Sequence, residues 1–481
     1  MNSFSPTNPL HRWSRRDFLE KSGNGLGAAA LAWLLAGEDR SAHAAPTPPP
    51  QRPRAKQVIQ LFMNGGASQC DTFDYKPELI RRHGERVDFG IKASATSVPG
   101  PLMKSPWEWR QHGQCGRWVS NLFPHMARGV DDMAFLMAMT SITSEHSAGL
   151  NMQTSGFVAP GFPSAGAWVS YALGTSNRNL PAFIALPDPV GLPWTGKGAW
   201  TNGFLPASHQ GIMLNPSAEN PAPDLFPPKS ESFLTERAER DGLDLLLRLN
   251  RQHQAAAGHD DQLEARIASY ELAARMQLAV PDMLDLRGES EAVRRLYGLD
   301  QAHTAGFGRN CLIARRLIER GVRFVQVWSG SGLNGASGNW DNHENIGPSS
   351  DLEKMARASD QPAAALLRDL KSRGMLDETL VIWTTEFGRT PFNQDGNKGR
   401  DHNGHTFVSW MAGGGVKGGV AYGESDPFSY QAAVDKTYCY DQHATILHLL
   451  GVDHEKLVFR HNGADRRLTD VHGHVLHPIL S

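Results

Sequence analysis

The sequence predicts an α/β fold with a mainly parallel central sheet and helices on both faces. In the C-terminal half, a helical pattern over about 305–320 precedes an apolar strand at 322–328, and a second helical pattern over about 360–372 precedes a strand at 380–384. Helices that alternate with apolar strands are typical of parallel sheets covered on both faces. With 40% hydrophobic residues in 481, the chain can bury a large core.

The first 44 residues are predicted to be a twin-arginine signal peptide. The pair Arg15 and Arg16 precedes an apolar run over 26–35, and Ala42 and Ala44 offer the small residues that a signal peptidase requires. The apolar run is too short to span a bilayer as a mature helix. We therefore expect a periplasmic or otherwise exported protein that passes through the twin-arginine translocase and has no membrane anchor after cleavage.

The rest of the chain is predicted to form a Pro-rich linker at 45–54 and one α/β domain at 55–481. Early strands are expected at 57–63, 133–139 and 182–186, and a late helix at 441–450. Between about 187 and 300 we expect an insertion that begins as a loop without periodicity and becomes helical near 231.

Charge and cysteine content limit the function classes. The 48 Lys and Arg residues balance the 50 Asp and Glu residues, so the composition gives no argument for nucleic-acid binding. The four cysteines are too widely spaced for a zinc motif, and an oxidising compartment permits disulfides without requiring them. The 20 histidines are numerous, and their positions suggest chemistry.

Polar residues with metal-binding or catalytic chemistry follow four of the predicted strands. Ligands of open α/β sheets bind beyond the carboxyl ends of the strands, so these residues could meet at one site although they are far apart in sequence. The strand exits carry the candidate site residues Asp71, Ser144, His146, Ser147, Asp341, His343, Glu386, Arg389, Asp401, His402 and His405.

Carboxylates and imidazoles in this set indicate a metal centre. Mixed oxygen and nitrogen donors suit zinc or manganese, with calcium or magnesium as the alternatives if the histidines do not bind. There are enough donors for two ions, which could together hold both reacting oxygens of a phosphate or sulfate ester. The predicted metal ligands are Asp71, Asp341, His343, Glu386, Asp401, His402 and His405.

Each residue also has a structural interpretation. Asp71 could cap a local turn, and His146 could be an ordinary hydrogen-bonded histidine. Asp401 could simply orient His402 within a buried pair. Arg389 is predicted to hold an anionic ester, because its planar guanidinium matches the geometry of such oxygens.

Several motifs in order along the mature chain resemble the bacterial domain-of-unknown-function 1501 family, relatives of the alkaline phosphatase and sulfatase superfamily. The resemblance implies an alkaline-phosphatase-like α/β fold. The motifs are Gly-Gly-Ala-Ser at 65–68, Asp-Thr-Phe-Asp at 71–74, Trp-Asp-Asn-His at 340–343, Glu-Phe-Gly-Arg-Thr-Pro at 386–391, Gly-Arg-Asp-His at 399–402, the glycine-rich segment 413–419 and Asp-Gln-His-Ala-Thr at 441–445.

The resemblance also implies roles for individual residues. Asp71 corresponds to a ligand of one metal, and Asp341 and His343, with His402 or His405, correspond to ligands of the other. Glu386 matches the carboxylate that follows the next strand.

The nucleophile implied by the resemblance is Ser147 or Ser144. Independently of the resemblance, we expect a metal-bound water as the alternative attacking group and His146 as a proton shuttle. The Cys-x-Pro-Ser-Arg signature of formylglycine sulfatases is absent from the sequence. Gln69 stands where many relatives have His, and Glu386-Phe387 replaces the Asp-His pair of alkaline phosphatases.

Two functions compete at this stage. The first is an exported metal-dependent hydrolase of a phosphate or sulfate ester. The second is a non-catalytic exported protein of the same fold that binds a glycan or a partner and retains one metal. For either, we expect Asp71, Asp341, His343, Glu386 and His402 to approach one another.

Overall fold

The computed structural model describes residues 52–90, 99–177, 179–218, 221–222, 235–257, 261–332, 338–394 and 396–481. The predicted signal peptide at 1–44, most of the linker at 45–54 and parts of the predicted insertion lie outside the described residues. Within the described ranges, we find no helix with the length and apolar character needed to cross a membrane.

A nine-stranded sheet forms the centre of the fold. The strands are β1 Gln57–Met63, β2 Met133–Thr140, β3 Phe183–Leu186, β4 Ile212–Met213, β5 Phe324–Ser329, β6 Thr379–Thr384, β7 Phe407–Ala412, β8 Val420–Tyr422 and β9 Thr437–Tyr438. Their order across the sheet is β8-β2-β7-β6-β1-β5-β3-β4, with β9 also paired to β2. Only β7 is antiparallel to its neighbours, so the prediction of a mainly parallel sheet is confirmed.

Helices cover both faces of this sheet. The α-helices are α1 Gln69–Thr72, α2 Pro77–Arg81, α3 His146–Ser155, α4 Ala165–Leu173, α5 Glu236–Ala257, α6 Asp261–Leu284, α7 Glu291–Leu296, α8 Ala305–Glu319, α9 Asp351–Ser372 and α10 Cys439–Leu449. Short 3-10 helices lie at Met126–Asp132, Gly196–Trp200, Ala207–His209, Leu376–Glu378 and His477–Ile479.

Alternating side chains of β1 show how the two layers form. Ile59 packs into one apolar layer together with Leu312 of α8 and Leu366 of α9. Phe62 packs into the opposite layer with Leu150 of α3. Because apolar layers pack against both faces of β1, its sequence is mostly apolar, as in sheets buried on both faces.

Small sheets surround the central one, and one of them positions the candidate site. Strand Gly388–Gln394 pairs antiparallel with Arg400–Asn403, with Arg389 opposite His402. It also pairs with Pro99–Leu102. The remaining short strands are Trp109–His112, Arg117–Ser120, Glu424–Ser425, Ala432–Val434, Phe459–His461 and Ala464–Arg466.

Most predicted elements lie where the sequence placed them, with two differences. Helix α9 begins nine residues before the predicted start, because the Ser350 side chain caps it by accepting a hydrogen bond from the Glu353 backbone N. The stretch predicted to be a loop after 187 contributes Ile212–Met213, which pairs with β3 at the edge of the central sheet.

Candidate metal centre

Three imidazoles and one carboxylate meet at one edge of the central sheet. Asp341 Oδ1 lies 2.7 Å from His343 Nε2 and 3.2 Å from His402 Nε2. Asp341 Oδ2 lies 3.4 Å from His146 Nε2. The Nε2 atoms of His343 and His402 are 2.9 Å apart. All four side chains are buried or mostly buried, with His343 the most exposed at 24%.

The direction of the strands explains why distant segments meet here. His146 follows β2, and Asp341 and His343 follow β5, so these residues lie beyond the carboxyl ends of parallel strands. Strand β7 runs the other way, so its beginning lies at the same edge. His402, in the short strand just before β7, is therefore brought to the same place.

The second nitrogen of each imidazole is fixed by an acceptor. Carboxylate, amide and carbonyl oxygens only accept hydrogen bonds, so Nδ1–H is the donor in all three histidines. Each Nε2 then presents a lone pair to the centre. The contacts are His146 Nδ1 to Glu386 Oε1 at 2.8 Å, His343 Nδ1 to Gln394 Oε1 at 2.5 Å and His402 Nδ1 to the Ser144 carbonyl at 2.7 Å.

This donor set fits a divalent cation. Three imidazole lone pairs and a carboxylate repel one another unless a positive charge lies among them, and the buried Nε2 of His146 has no hydrogen-bond partner among the described residues. Histidines that donate their other ring N–H to an acceptor are the usual arrangement around zinc. The atoms of His146, Asp341 and His402 that could bind metal lie within 4.8 Å of one another, as do those of His343, Asp401 and His402.

Electrostatics favour an ionised Asp341 and a neutral His402, as metal binding requires, but they favour a proton on His146. Burial alone would raise the pKa of Asp341, but the Arg389 guanidinium and the three imidazoles outweigh it and hold that pKa well below its usual range. Burial, helped by Arg389, lowers the pKa of His402 to about 4. Burial also opposes protonation of His146, yet the neighbouring carboxylates Asp341 and Glu386 outweigh burial and raise its pKa. A proton therefore competes with metal at His146.

Arg389 does not have the free guanidinium that the sequence suggested. It is fully buried, and it donates from Nε to the Gly66 carbonyl at 2.8 Å and from Nη1 to the Arg400 carbonyl at 3.2 Å. Its Nη2 donates hydrogen bonds to the Gly65 carbonyl and to Asp341 Oδ1, the second at 2.6 Å. The predicted role of holding an anion is corrected, because these contacts engage four of the five guanidinium N–H groups, and Nη1 also lies 3.4 Å from His343 Nε2.

The two glycines before α1 are required by this packing. Gly65 has a φ of 123°, and a Cβ at this position would lie 2.6 Å from the Asp341 backbone N. A Cβ on Gly66 would lie 2.8 Å from the Phe387 ring. The Gly-Gly turn therefore allows the chain that follows β1 to pack directly against the loop that carries Asp341.

Asp71 is not part of the centre. Its carboxylate is fully buried and binds Arg400 through both oxygens, at 2.8 Å from Nε to Oδ2 and 3.1 Å from Nη2 to Oδ1. The Ser68 hydroxyl also donates to Oδ2 at 2.5 Å. The expectation that Asp71 meets Asp341 at a shared ion is corrected, because a guanidinium already occupies both of its oxygens.

Two other predicted ligands, Glu386 and Asp401, contact the histidines of the centre from behind. Glu386 is fully buried and accepts hydrogen bonds from the Gly65 backbone N and from His146, so it orients a ligand. Asp401 Oδ1 lies 3.8 Å from His343 Nδ1. The same oxygen accepts a hydrogen bond from the His402 backbone N at 2.8 Å.

Two further predicted residues lie elsewhere. His405 packs its ring against Tyr430 and lies in neither of the close ligand groups. Ser147 lines a separate cavity, described below.

Some site residues were not expected from sequence. His146 was predicted as a proton shuttle, whereas its Nε2 faces Asp341 as a ligand atom would. Trp194 stacks on the His146 ring with centroids 4.0 Å apart and planes 4° from parallel. Phe387 lies 5.0 Å from His146 and 4.7 Å from His402, between ring centroids. The position of His146 at a strand exit was the available signal, and Trp194 had none because its stretch has no periodicity.

Comparisons with known proteins give one family and several distant folds. The profile of a family described as "Protein of unknown function (DUF1501)" matches residues 55–480. No curated protein matches the sequence. A sulfatase from Pseudoalteromonas sp. is 14% identical, covering 85% of this chain and 69% of its own, with a TM-score of 0.35.

Two other solved structures are similar at the same distant level. A phosphonate monoester hydrolase from Silicibacter pomeroyi is 11% identical, covering 74% of this chain and 71% of its own, with a TM-score of 0.32. The alkaline phosphatase of the Antarctic bacterium TAB5 is 10% identical, covering 77% of this chain and 94% of its own, with a TM-score of 0.27.

Proposed function

The chain belongs to the family of unknown function DUF1501, and from its site we propose that it is a metal-dependent hydrolase with one divalent ion. Asp341, His146, His343 and His402 would hold that ion, with zinc or manganese the best fit to such donors. The observation that carries the proposal is the orientation of the three imidazoles. Each has Nδ1 bonded to an acceptor and Nε2 turned toward Asp341.

A single ion, rather than two, is proposed because arginines supply the other positive charges. Arg400 neutralises Asp71, the carboxylate that a second ion would need. Arg389 lies 2.6 Å from Asp341 Oδ1, and its Nη1 lies 3.4 Å from His343 Nε2. Arg389 already places a positive charge beside these two ligands, and each divalent ion added there is repelled by it, so one ion is favoured over two.

The expected substrate is a phosphate or sulfate ester, as the family resemblance in the sequence implies. When bound, a divalent ion supplies Lewis-acid chemistry, polarising an ester oxygen and lowering the pKa of water. The residues of the chain position this chemistry: Glu386 and Gln394 fix two imidazole rings, and Arg389 keeps Asp341 ionised. We propose water rather than Ser147 as the attacking group, because Ser147 lines a separate cavity.

A non-catalytic binding protein is the second candidate. It is favoured by one observation, namely that the hydrogen-bond donors of Arg389 are engaged by backbone carbonyls and Asp341. In this case the metal would stabilise the fold or a binding surface without turning over an ester.

Metal analysis combined with an ester assay tests these functions. We expect purified protein loaded with zinc or manganese to hydrolyse p-nitrophenyl phosphate or p-nitrophenyl sulfate. His402→Asn should lose both metal and activity, whereas His405→Asn, the matched control outside the centre, should keep both. Metal without hydrolysis would favour the binding protein. Equal metal content in wild type and His402→Asn would contradict the assigned centre.

Export is a further part of the proposal. It is supported by Arg15 and Arg16 ahead of an apolar run and by the small residues at 42 and 44. Replacing both arginines by Lys should leave unprocessed protein in the cytoplasm, as shown by cell fractionation and immunoblotting. Normal processing of that variant would refute the twin-arginine assignment.

A further inference from the structure

A cavity of about 340 Å³ lies directly beside the candidate metal centre. Two pairs of consecutive residues form the wall between them. At the start of α3, His146 faces the centre and Ser147 lines the cavity. In the loop after β3, Trp194 stacks on His146 and Thr195 lines the cavity. Neighbouring residues of α3 and of this loop therefore face the two sites.

The lining of the cavity contains no cation. None of its residues is Lys, Arg or His, and all of them belong to the described part of the chain. Its one carboxylate, Glu145, is engaged as the cap of α3, accepting from the backbone N atoms of Ser147 and Ala148 at 3.1 and 2.8 Å. An anionic group would find no partner here, so the charged part of a substrate does not belong in this cavity.

Neutral polar groups and an aromatic surface line the cavity instead. Ser147 contributes a hydroxyl group, and Asn151 contributes an amide whose Nδ2 also donates to the Val158 carbonyl at 3.1 Å. Phe162 presents an apolar surface, held by its stack on Phe157 with ring centroids 3.8 Å apart and planes 12° from parallel.

We propose that this cavity binds a sugar ring, which would be the alcohol part of the ester; this identification of the substrate rests on the proposed function. A pyranose ring has apolar C–H faces that pack on aromatic rings and hydroxyls that exchange hydrogen bonds with neutral polar groups. An acyl chain would leave the hydroxyl and amide groups unpaired. The volume is at the low end of small-molecule sites, roughly 300–1,000 Å³, which suits one ring rather than a long chain.

The position of the cavity fits such a substrate. With the sugar ring beside Ser147 and Phe162, an ester group on the ring would point along α3 toward His146 and the centre. The neutral cavity would then select the alcohol, and the centre would receive the anion. This division of charge matches the absence of Lys, Arg and His from the described lining.

Saturation-transfer NMR with metal-free protein tests the proposal without relying on catalysis. The probes are glucose, galactose, fucose and N-acetylglucosamine at millimolar concentration. We expect transfer to at least one sugar. Ser147→Ala should weaken its binding by about threefold to tenfold, the loss of one hydrogen bond. Phe162→Ala should weaken it at least as much. Ser217→Ala, on the surface outside the cavity, should bind as wild type does.

The outcomes separate this proposal from the proposed function. No transfer to any of these sugars, or unchanged binding by both Ser147→Ala and Phe162→Ala, overturns the sugar site. Hydrolysis of a nitrophenyl ester without sugar binding counts against the cavity alone. Sugar binding without hydrolysis of any ester supports the cavity and counts against the hydrolase. Near-ultraviolet circular dichroism shows that each variant is folded.

Discussion

Asp71 and Asp341 are two buried carboxylates that follow parallel strands at the same edge of the sheet, and they have different partners. Asp71 is bound through both oxygens by Arg400. Asp341 has Arg389 and two imidazoles at Oδ1, while Oδ2 faces the unpartnered nitrogen of His146. Sequence position made the two residues equivalent candidates, and their surroundings distinguish them.

The comparison shows what separates a structural carboxylate from a metal ligand. A buried charge needs a counter-charge and enough hydrogen bonds to replace water. Arg400 meets both needs for Asp71, which leaves no lone pair in need of a cation. Around Asp341 the protein has instead gathered further lone pairs, and only an additional positive charge satisfies them together.

The largest expected effect comes from breaking the structural pair. Asp71→Ala leaves Arg400 buried without a counter-charge, and loss of one partner of such a pair typically costs about 3–5 kcal/mol of unfolding free energy. Urea unfolding followed by tryptophan fluorescence measures this loss. The metal content of the folded fraction should be unchanged. Metal loss from folded Asp71→Ala would show that the two carboxylates are equivalent after all.

A smaller effect should follow from changing a residue behind the centre. Glu386→Gln keeps an oxygen that can accept from His146 Nδ1 but removes the negative charge. Changes to such outer partners typically lower metal affinity by about 10–100-fold. Competition with a chelator of known affinity measures the change. Wild-type affinity would mean that Glu386 serves the packing of the Gly65 turn rather than the centre.

The smallest effect should come from the aromatic cover of His146. Trp194→Ala removes a stack worth about 0.5–1.5 kcal/mol, so metal affinity should fall by about threefold to tenfold. Trp194→Phe should restore most of it, because a phenyl ring can also stack on the imidazole. If the Ala and Phe variants bind metal equally well, the stack does not position His146.

Much of the fold could be predicted because its strands are buried on both faces. The apolar runs of β1, β5 and β6 are long and continuous, and they were placed correctly to within about two residues. The start of α9 was missed because Ser350 is a single capping residue ahead of a polar first turn. The edge strand Ile212–Met213 has only two residues, too few to produce a period.

The site could be predicted only in part, because partners are not visible in a single sequence. Strand exits correctly suggested that Asp341, His343 and His402 come together. The pairing of Asp71 with Arg400 joins positions 329 apart and depends on the antiparallel Arg400–Asn403 strand. The engagement of Arg389 by carbonyls depends on the path of the Gly65–Gly66 turn, which residue types do not reveal.

The most direct test of the central claim is the number of metal ions per chain. Native mass spectrometry of the mature protein after loading with zinc or manganese should show one ion, and Asp341→Asn should show none while unfolding at a similar urea concentration. Two ions per wild-type chain would contradict the proposal that arginines replace a second metal. No bound ion in wild type, or one ion retained in Asp341→Asn, would contradict the centre itself.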